Sequence, residues 1–337
     1  MRTITRFTQM VAVAAGSSLV VLSAPAQATA AGTHNVWHPV ASMSNPDSAD
    51  ANTAATGDPN GNIYVAGGSD SLGYSYTDFS VYNPIANVWK SLAPLPQDTS
   101  NAAAAAGPSG MVFVAGGFTD NGGPQIVSAT YGYSPKRNIW IAEPSMPTAR
   151  EYLAAATGPD GRIYALGGQD SHGNTLNIVE AFNPTTSLWS TVAPLPTARW
   201  GLAAVTGSDG HIYAIGGFTA SGPTGIVEAY NVYTNTWTRV ANVPTSETYC
   251  AALASNARIY AVQATTTVPK TLTATVHTYA YNTSTNAWTR VANMQWRGGE
   301  SCASIPAQPH IYSIGGYAMG GYYPKAWETN TVLQYTL

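Results

Sequence analysis

Charge is scarce in this sequence. Only 9% of its 337 residues are Asp, Glu, Lys or Arg, and the formal net charge is −3. With no basic stripe the chain lacks the electrostatic footprint of a nucleic-acid binder, and no such partner is expected. Cysteine is nearly absent, with only Cys250 and Cys302, which is too few for a disulfide scaffold. The six histidines are scattered, and no His, Cys or carboxylate set has metal-ligand spacing. No glycine-rich phosphate loop is present either: the paired glycines follow apolar runs, and neither a lysine nor a helix signal comes after them. Neither a metal nor a cofactor is therefore expected. Beyond the first thirty residues no stretch is long and apolar enough to cross a bilayer.

Those first thirty residues read as a signal peptide. Arg2 and Arg6 form a positive leader, Met10 to Leu22 is apolar but too short to span comfortably, and Ala26-Gln-Ala28 fits a small-x-small cleavage site. Residues 1–30 are assigned to this segment and residues 31–337 to one domain. The mature chain is expected to be secreted, extracellular or periplasmic, free of the membrane and monomeric.

Glycine, proline, tyrosine and tryptophan are abundant, as short strands and tight turns require. The phrase Gly158-Pro-Asp-Gly-Arg-Ile-Tyr-Ala-Leu-Gly-Gly168 joins a polar turn to an apolar strand ending on two glycines. It returns as Gly61 to Gly68, Gly110 to Gly117, Gly210 to Gly217, a degraded Ala257 to Ala264, and His310 to Gly316. Trp37, Trp89, Trp140, Trp189, Trp237 and Trp288 march in step at about fifty residues. A third landmark lies between them: Tyr82-Asn-Pro, Phe182-Asn-Pro, Tyr230-Asn, Tyr281-Asn and, more loosely, Tyr133-Ser-Pro. Each unit reads as four strands: a slim inner one such as Leu153-Ala-Ala-Ala156, the Ile-Tyr strand, a third carrying the aromatic, and a fourth around the tryptophan.

Three landmarks at fixed offsets resemble Kelch repeats, and the resemblance covers about residues 35–337. It implies an all-β, six-bladed Kelch β-propeller. The sixth copy stops without a tryptophan strand, and Asn35-Val-Trp-His-Pro39 supplies one, so the N-terminal strand should close the sixth blade. The fifth copy lacks its glycines (Gln263-Ala264), and a distorted bend is expected there.

In such a fold, ligands are expected at the channel mouth, where loops from successive blades meet. Counting back from the second-strand aromatic gives rings of equivalent residues. One holds Asp50, Thr99, Arg150, Arg199, Glu247 and Gly299. The next holds Ala51, Ser100, Glu151, Trp200, Thr248 and Glu300. A third holds Asn52, Asn101, Tyr152, Gly201, Tyr249 and Ser301, with Trp296 and Arg297 just above. Arg150, Glu151, Tyr152, Arg199, Trp200, Glu247, Tyr249, Arg297 and Glu300 are the candidate ligand-binding residues. Arginines would pair with anionic groups, carboxylates would accept from hydroxyls, and Trp or Tyr would stack on a sugar. The alternative for Arg150 and Arg199 is that they belong to the repeat pattern and serve the blades. Cys250 and Cys302 fall at the same position of adjacent inner strands; a disulfide and two buried thiols both remain open.

Two functions follow. One is a secreted propeller that binds a carbohydrate, another polar ligand or a protein partner. The other is a sugar-active enzyme. Exported sialic acid mutarotases are similar small Kelch propellers, and the resemblance would have Glu151 or Glu300 act with Arg150 or Arg199. Galactose oxidase also resembles this chain in fold, but its copper site needs histidines that this mouth lacks.

Overall fold

The computed structural model describes residues 36–43, 52–70, 72–244, 250–253, 256–263, 275–295, 301–304, 309–314, 317–318, 327–328 and 332–336. The chain divides into residues 1–33, which lie outside the described set, and residues 34–337. Among the described residues there is no helix.

Within residues 34–337 each repeat folds into an antiparallel sheet of four strands. Blade one is Ala54–Gly57, Ile63–Ala66, Phe79–Asn83 and Val88–Ser91. Blade two is Ala103–Ala106, Val112–Ala115, Thr130–Ser134 and Ile139–Glu143. Blade three is Ala154–Thr157, Ile163–Leu166, Val179–Asn183 and Leu188–Thr191. Blade four is Ala203–Thr206, Ile212–Ile215, Val227–Asn231 and Thr236–Arg239. Blade five is Cys250–Leu253, Ile259–Gln263, Thr275–Asn282 and Ala287–Gln295. Blade six is Ser301–Ser304, His310–Ile314, Val332–Thr336 and, as expected, the N-terminal strand Val36–Val40, which pairs with Val332–Thr336. Each inner strand lies beside the next, and that of blade six returns to blade one. The all-β, six-bladed expectation is met, closure included.

The core is distributed between blades. Apolar clusters fill each of the six interfaces, two of them at the one between blades two and three. One aromatic pair recurs at all six interfaces. The second-strand ring of a blade meets the third-strand ring of the next: Tyr64 with Tyr133, Phe113 with Phe182, Tyr164 with Tyr230, Tyr213 with Tyr281, Tyr260 with Tyr335, and Tyr312 with Tyr82, at 5.5–6.2 Å between centroids. Each landmark tryptophan covers the third-strand ring of its own blade at 4.9–5.3 Å. Such pairs contribute about 0.5–1.5 kcal/mol each beyond burial of their area.

The tryptophans also staple blades together. Trp89, Trp140, Trp237 and Trp288 donate their indole N–H to the carbonyls of Ala41, Ala93, Ala193 and Ala241 at 2.8–2.9 Å. The N–H of each of these alanines donates to an asparagine, Asn87, Asn138, Asn235 or Asn286, whose side-chain oxygen also accepts from the tyrosine hydroxyl of its own blade. Blade three differs for a chemical reason. Trp189 donates to Pro144, which has no N–H to place. Ser187 stands where the asparagine would be, and Phe182 where the tyrosine would be.

Blade five is irregular, though the described distortion lies in another strand. Its third and fourth strands run to eight and nine residues, and their pairing slips between Thr278 and Tyr279. Ala264 lies outside the described residues.

Candidate functional site

The paired glycines build the rim. Gly167 and Gly168 have φ of 60° and 104°, which L side chains seldom adopt. A Cβ on Gly167 would sit 2.3 Å from the carbonyl oxygen of Arg199, and one on Gly168 would sit 2.6 Å from that of Glu151. The bare backbone lets the Gly168 N–H donate to the Arg199 carbonyl of the next blade at 2.9 Å. The residue after the glycines then pairs back to its own blade: Phe118 with Ser100, Gln169 with Glu151, Phe218 with Trp200.

A belt of backbone hydrogen bonds runs along the mouth from blade one to blade four, one residue further on. The N–H of Asn101 donates to Asn52, that of Tyr152 to Asn101 and that of Gly201 to Tyr152, at 2.8–3.0 Å. All four residues take left-handed φ, between 53° and 59°. Asn and Gly tolerate that region, whereas a tyrosine pays for it.

Two of the predicted residues are corrected. Arg150 and Arg199 are fully buried, at 0% exposure, and present no guanidinium to the mouth. Arg150 donates to Glu180 at 2.5 Å and to the carbonyls of Thr148 and Ala165. Arg199 donates to Glu228 at 2.7 Å and to the carbonyls of Gly216 and Ile226. Thr148 and Thr197 donate to the second oxygen of each glutamate at 2.8 Å. Burial lowers both guanidinium pKa values, and the facing glutamates oppose it. A charge taken this far out of water needs such a partner, so each pair is an internal strut of its blade. The sequence carried the signal: Ile-Val-Glu-Ala, at Ile178 and Ile226, occurs in the same two repeats as Thr-Ala-Arg.

Glu151, Tyr152 and Trp200 do come together. The Tyr152 and Trp200 rings lie 5.2 Å apart, and Trp200 stacks on Phe218 at 4.6 Å with an 18° interplanar angle. All three rings are half-buried. Phe218 was missed because only positions before the inner strand were counted. Beside this wall Asn101 Nδ2 donates to Glu151 Oε2 at 2.8 Å. Burial pushes the Glu151 carboxyl up, with the Asn101 bond pulling the other way. Among the described residues no hydrogen bond reaches Glu151 Oε1, and the buried Asn101 Oδ1 has no partner.

Asp50, Glu247, Tyr249, Trp296, Arg297 and Glu300 lie outside the described residues, as do the side chains of Cys250 and Cys302. The backbone still corrects the cysteine register. Cys250 pairs with Val262, so it matches Ala154; Cys302 pairs with Ser313, so it matches Ala155. The two are one place apart, and successive strand residues face opposite sides of a sheet.

Closed blades, aromatic interfaces and glycine-built rims define a β-propeller of the double-glycine repeat class. A family model described as the KLHDC2/KLHL20/DRC7 Kelch-repeats domain matches residues 100–316, and one described as the Kelch motif matches residues 59–96. The chain belongs to the Kelch-repeat family. No curated protein matches it by sequence. A solved structure titled "Structure of YjhT" is similar, with a TM-score of 0.68 and 18% identity, over 84% of this chain and 94% of that one. At that identity the likeness speaks for the fold. As many as 690 chains of solved structure match, and so widely used an architecture does not select an activity.

Proposed function

We propose that this propeller binds a carbohydrate at the mouth, on the blade two to four side. The observation that carries the reading is the aromatic run Tyr152–Trp200–Phe218 set against the Glu151–Asn101 pair. Sugar rings present apolar faces that pack on aromatics and hydroxyls that donate to carboxylates and amides. Two features of the site cost the fold free energy, a tyrosine at left-handed φ and a carboxylate whose charge burial disfavours. Residues kept at such a cost cluster at functional sites. Export of the mature chain, proposed from residues 1–30, would bring it to extracellular or periplasmic glycans. Glycan-array binding of the wild type and Trp200→Ala tests the site. Binding lost in the variant supports it; equal binding by both removes this wall from recognition.

A second reading is catalytic, with Glu151 as general acid or base on a reducing sugar. Its support is the half-buried carboxyl with a raised pKa. Anomer exchange followed by NMR should then be accelerated by the wild type and not by Glu151→Gln.

A further inference from the structure

We infer that the ligand presents an ammonium group to this mouth, as an amino sugar does, and no carboxylate or phosphate. The inference deepens the carbohydrate reading and rests on it.

An acceptor is on offer here without a matching donor among the described residues. Glu151 Oε1 receives no hydrogen bond among the described residues, and Asn101 Oδ1 is buried without a partner. The Asn101 amide cannot flip to help itself, because its oxygen would then face the Glu151 carboxylate. Glu151 therefore fixes the Asn101 amide, and Glu151 Oε1 is left to accept a hydrogen from outside.

Among the described residues the unpaired charge around this side has one sign. Arg150 and Arg199, the arginines of the first ring, are consumed by Glu180 and Glu228. The remaining described cations, Lys90, Lys136, Arg137, Arg162, Arg239, Arg258 and Arg290, lie on outer strands or on the turns and hairpins between strands. The loops and links around this side add Asp70, Asp98, Asp120 and Asp170. An anionic sugar would meet a carboxylate with no cation among the described residues to answer it, and like charges there repel.

The aromatic wall completes the match. A cation near the face of a tryptophan or tyrosine is attracted by the ring quadrupole. Glu151 adjoins Tyr152 in sequence and Trp200 lies on the next blade, with the Tyr152 and Trp200 rings 5.2 Å apart. An ammonium held between Glu151 and Trp200 would donate to Glu151 Oε1 while its sugar ring packs on Trp200.

The test is calorimetric titration of the mature chain with three oligosaccharides, the short oligomers of glucosamine, of N-acetylglucosamine and of galacturonic acid. The pH is chosen so that the amine is protonated and Glu151 is ionised. The deacetylated oligomer should bind about tenfold more tightly than the acetylated one, roughly the value of one charge-assisted contact. Glu151→Gln should erase that preference, and a circular-dichroism spectrum matching the wild type shows the variant is folded. Trp200→Ala should weaken both. Equal or tighter binding of the acetylated or acidic oligomer, lost in Trp200→Ala, overturns the ammonium inference and leaves the carbohydrate site standing. Failure of all three sugars to bind, or binding indifferent to Trp200, overturns both.

Discussion

Tyr152 occupies a backbone place that the other described repeats give to Asn52, Asn101 and Gly201. Its φ of 53° strains a bulky residue by about 1–2 kcal/mol. Its ring contact with Trp200 returns about 0.5–1.5 kcal/mol. The two nearly cancel, so Tyr152→Asn should change stability by less than about 1 kcal/mol, against the 3–5 kcal/mol typical for truncating a core aromatic. Urea denaturation checks this; a loss of 3 kcal/mol or more would make Tyr152 an ordinary core residue. Glu151 tells the same story through pH. Its folded pKa is raised, so the native state holds its proton more tightly than the unfolded chain does. Stability from this group is fully present below the ordinary carboxylate pKa and is lost as pH rises through the folded one. Glu151→Gln should therefore melt higher than the wild type at neutral pH, by about 1–2 °C. The two should converge in acid, where both side chains are neutral. Thermal melts across that range would refute the idea if the gap widened on acidification.

Among elements, the tryptophan–asparagine staple shows how one backbone atom decides two side chains. Asn138 serves the Ala93 N–H at 3.0 Å and the Tyr133 hydroxyl at 2.7 Å. Asn138→Gly keeps the left-handed backbone accessible and removes both hydrogen bonds, so its loss of about 1–2 kcal/mol reports them directly. Ser187→Gly, where Pro144 offers no N–H, should cost under about 1 kcal/mol, since only the partly buried contact to Glu143 is lost. Equal losses in chemical denaturation would show that the staple is not what the asparagine provides. The same elements mark what was legible in the chain. Glycine pairs and tryptophans could be read because geometry forces them into every blade, and they yielded blade number and closure. Arg150 and Arg199 were misjudged because their partners, Glu180 and Glu228, sit two strands away. Ring counting weighed each position alone, although Arg and Glu rise and fall together by repeat. The cysteine register slipped because the pairing differs: five residues separate Leu253 from its partner Ile259 in blade five, and six separate Ser304 from its partner Ile311 in blade six. Phe218 escaped notice because its hairpin folds back to the rim from a loop whose length varies between repeats.

At the scale of the whole propeller, the six interfaces repeat one aromatic arrangement but the blades are not closed alike. In blade two, residues 135–138 tether the outer strand Ile139–Glu143 to its partner as a hairpin. The outer strand of blade six reaches its place from the other end of the chain. Residues 41–53 link it to the inner strand of blade one, thirteen residues against four. Its indole also departs from the staple: Trp37 donates to the Thr278 hydroxyl of blade five at 3.0 Å, where the other five landmark tryptophans find a backbone carbonyl. Loop-closure entropy alone makes the longer tether weaker by on the order of 1 kcal/mol. With comparable ring packing, Trp37 on Tyr335 at 5.3 Å and Trp140 on Tyr133 at 5.2 Å, that difference is not recovered. The closing strand should thus open roughly sixfold more often than the outer strand of blade two. Native-state hydrogen exchange should find the Val36–Val40 amides and the Val332–Thr336 amides facing them exchanging ahead of Ile139–Glu143. Trp37→Ala should carry that opening into loss of cooperativity across blades five and six. Trp140→Ala, its strand still held by a hairpin, should lower the melting temperature while keeping a single transition. If the closing strand proves as protected as Ile139–Glu143, contacts beyond the tether and the aromatic pair hold the ring shut.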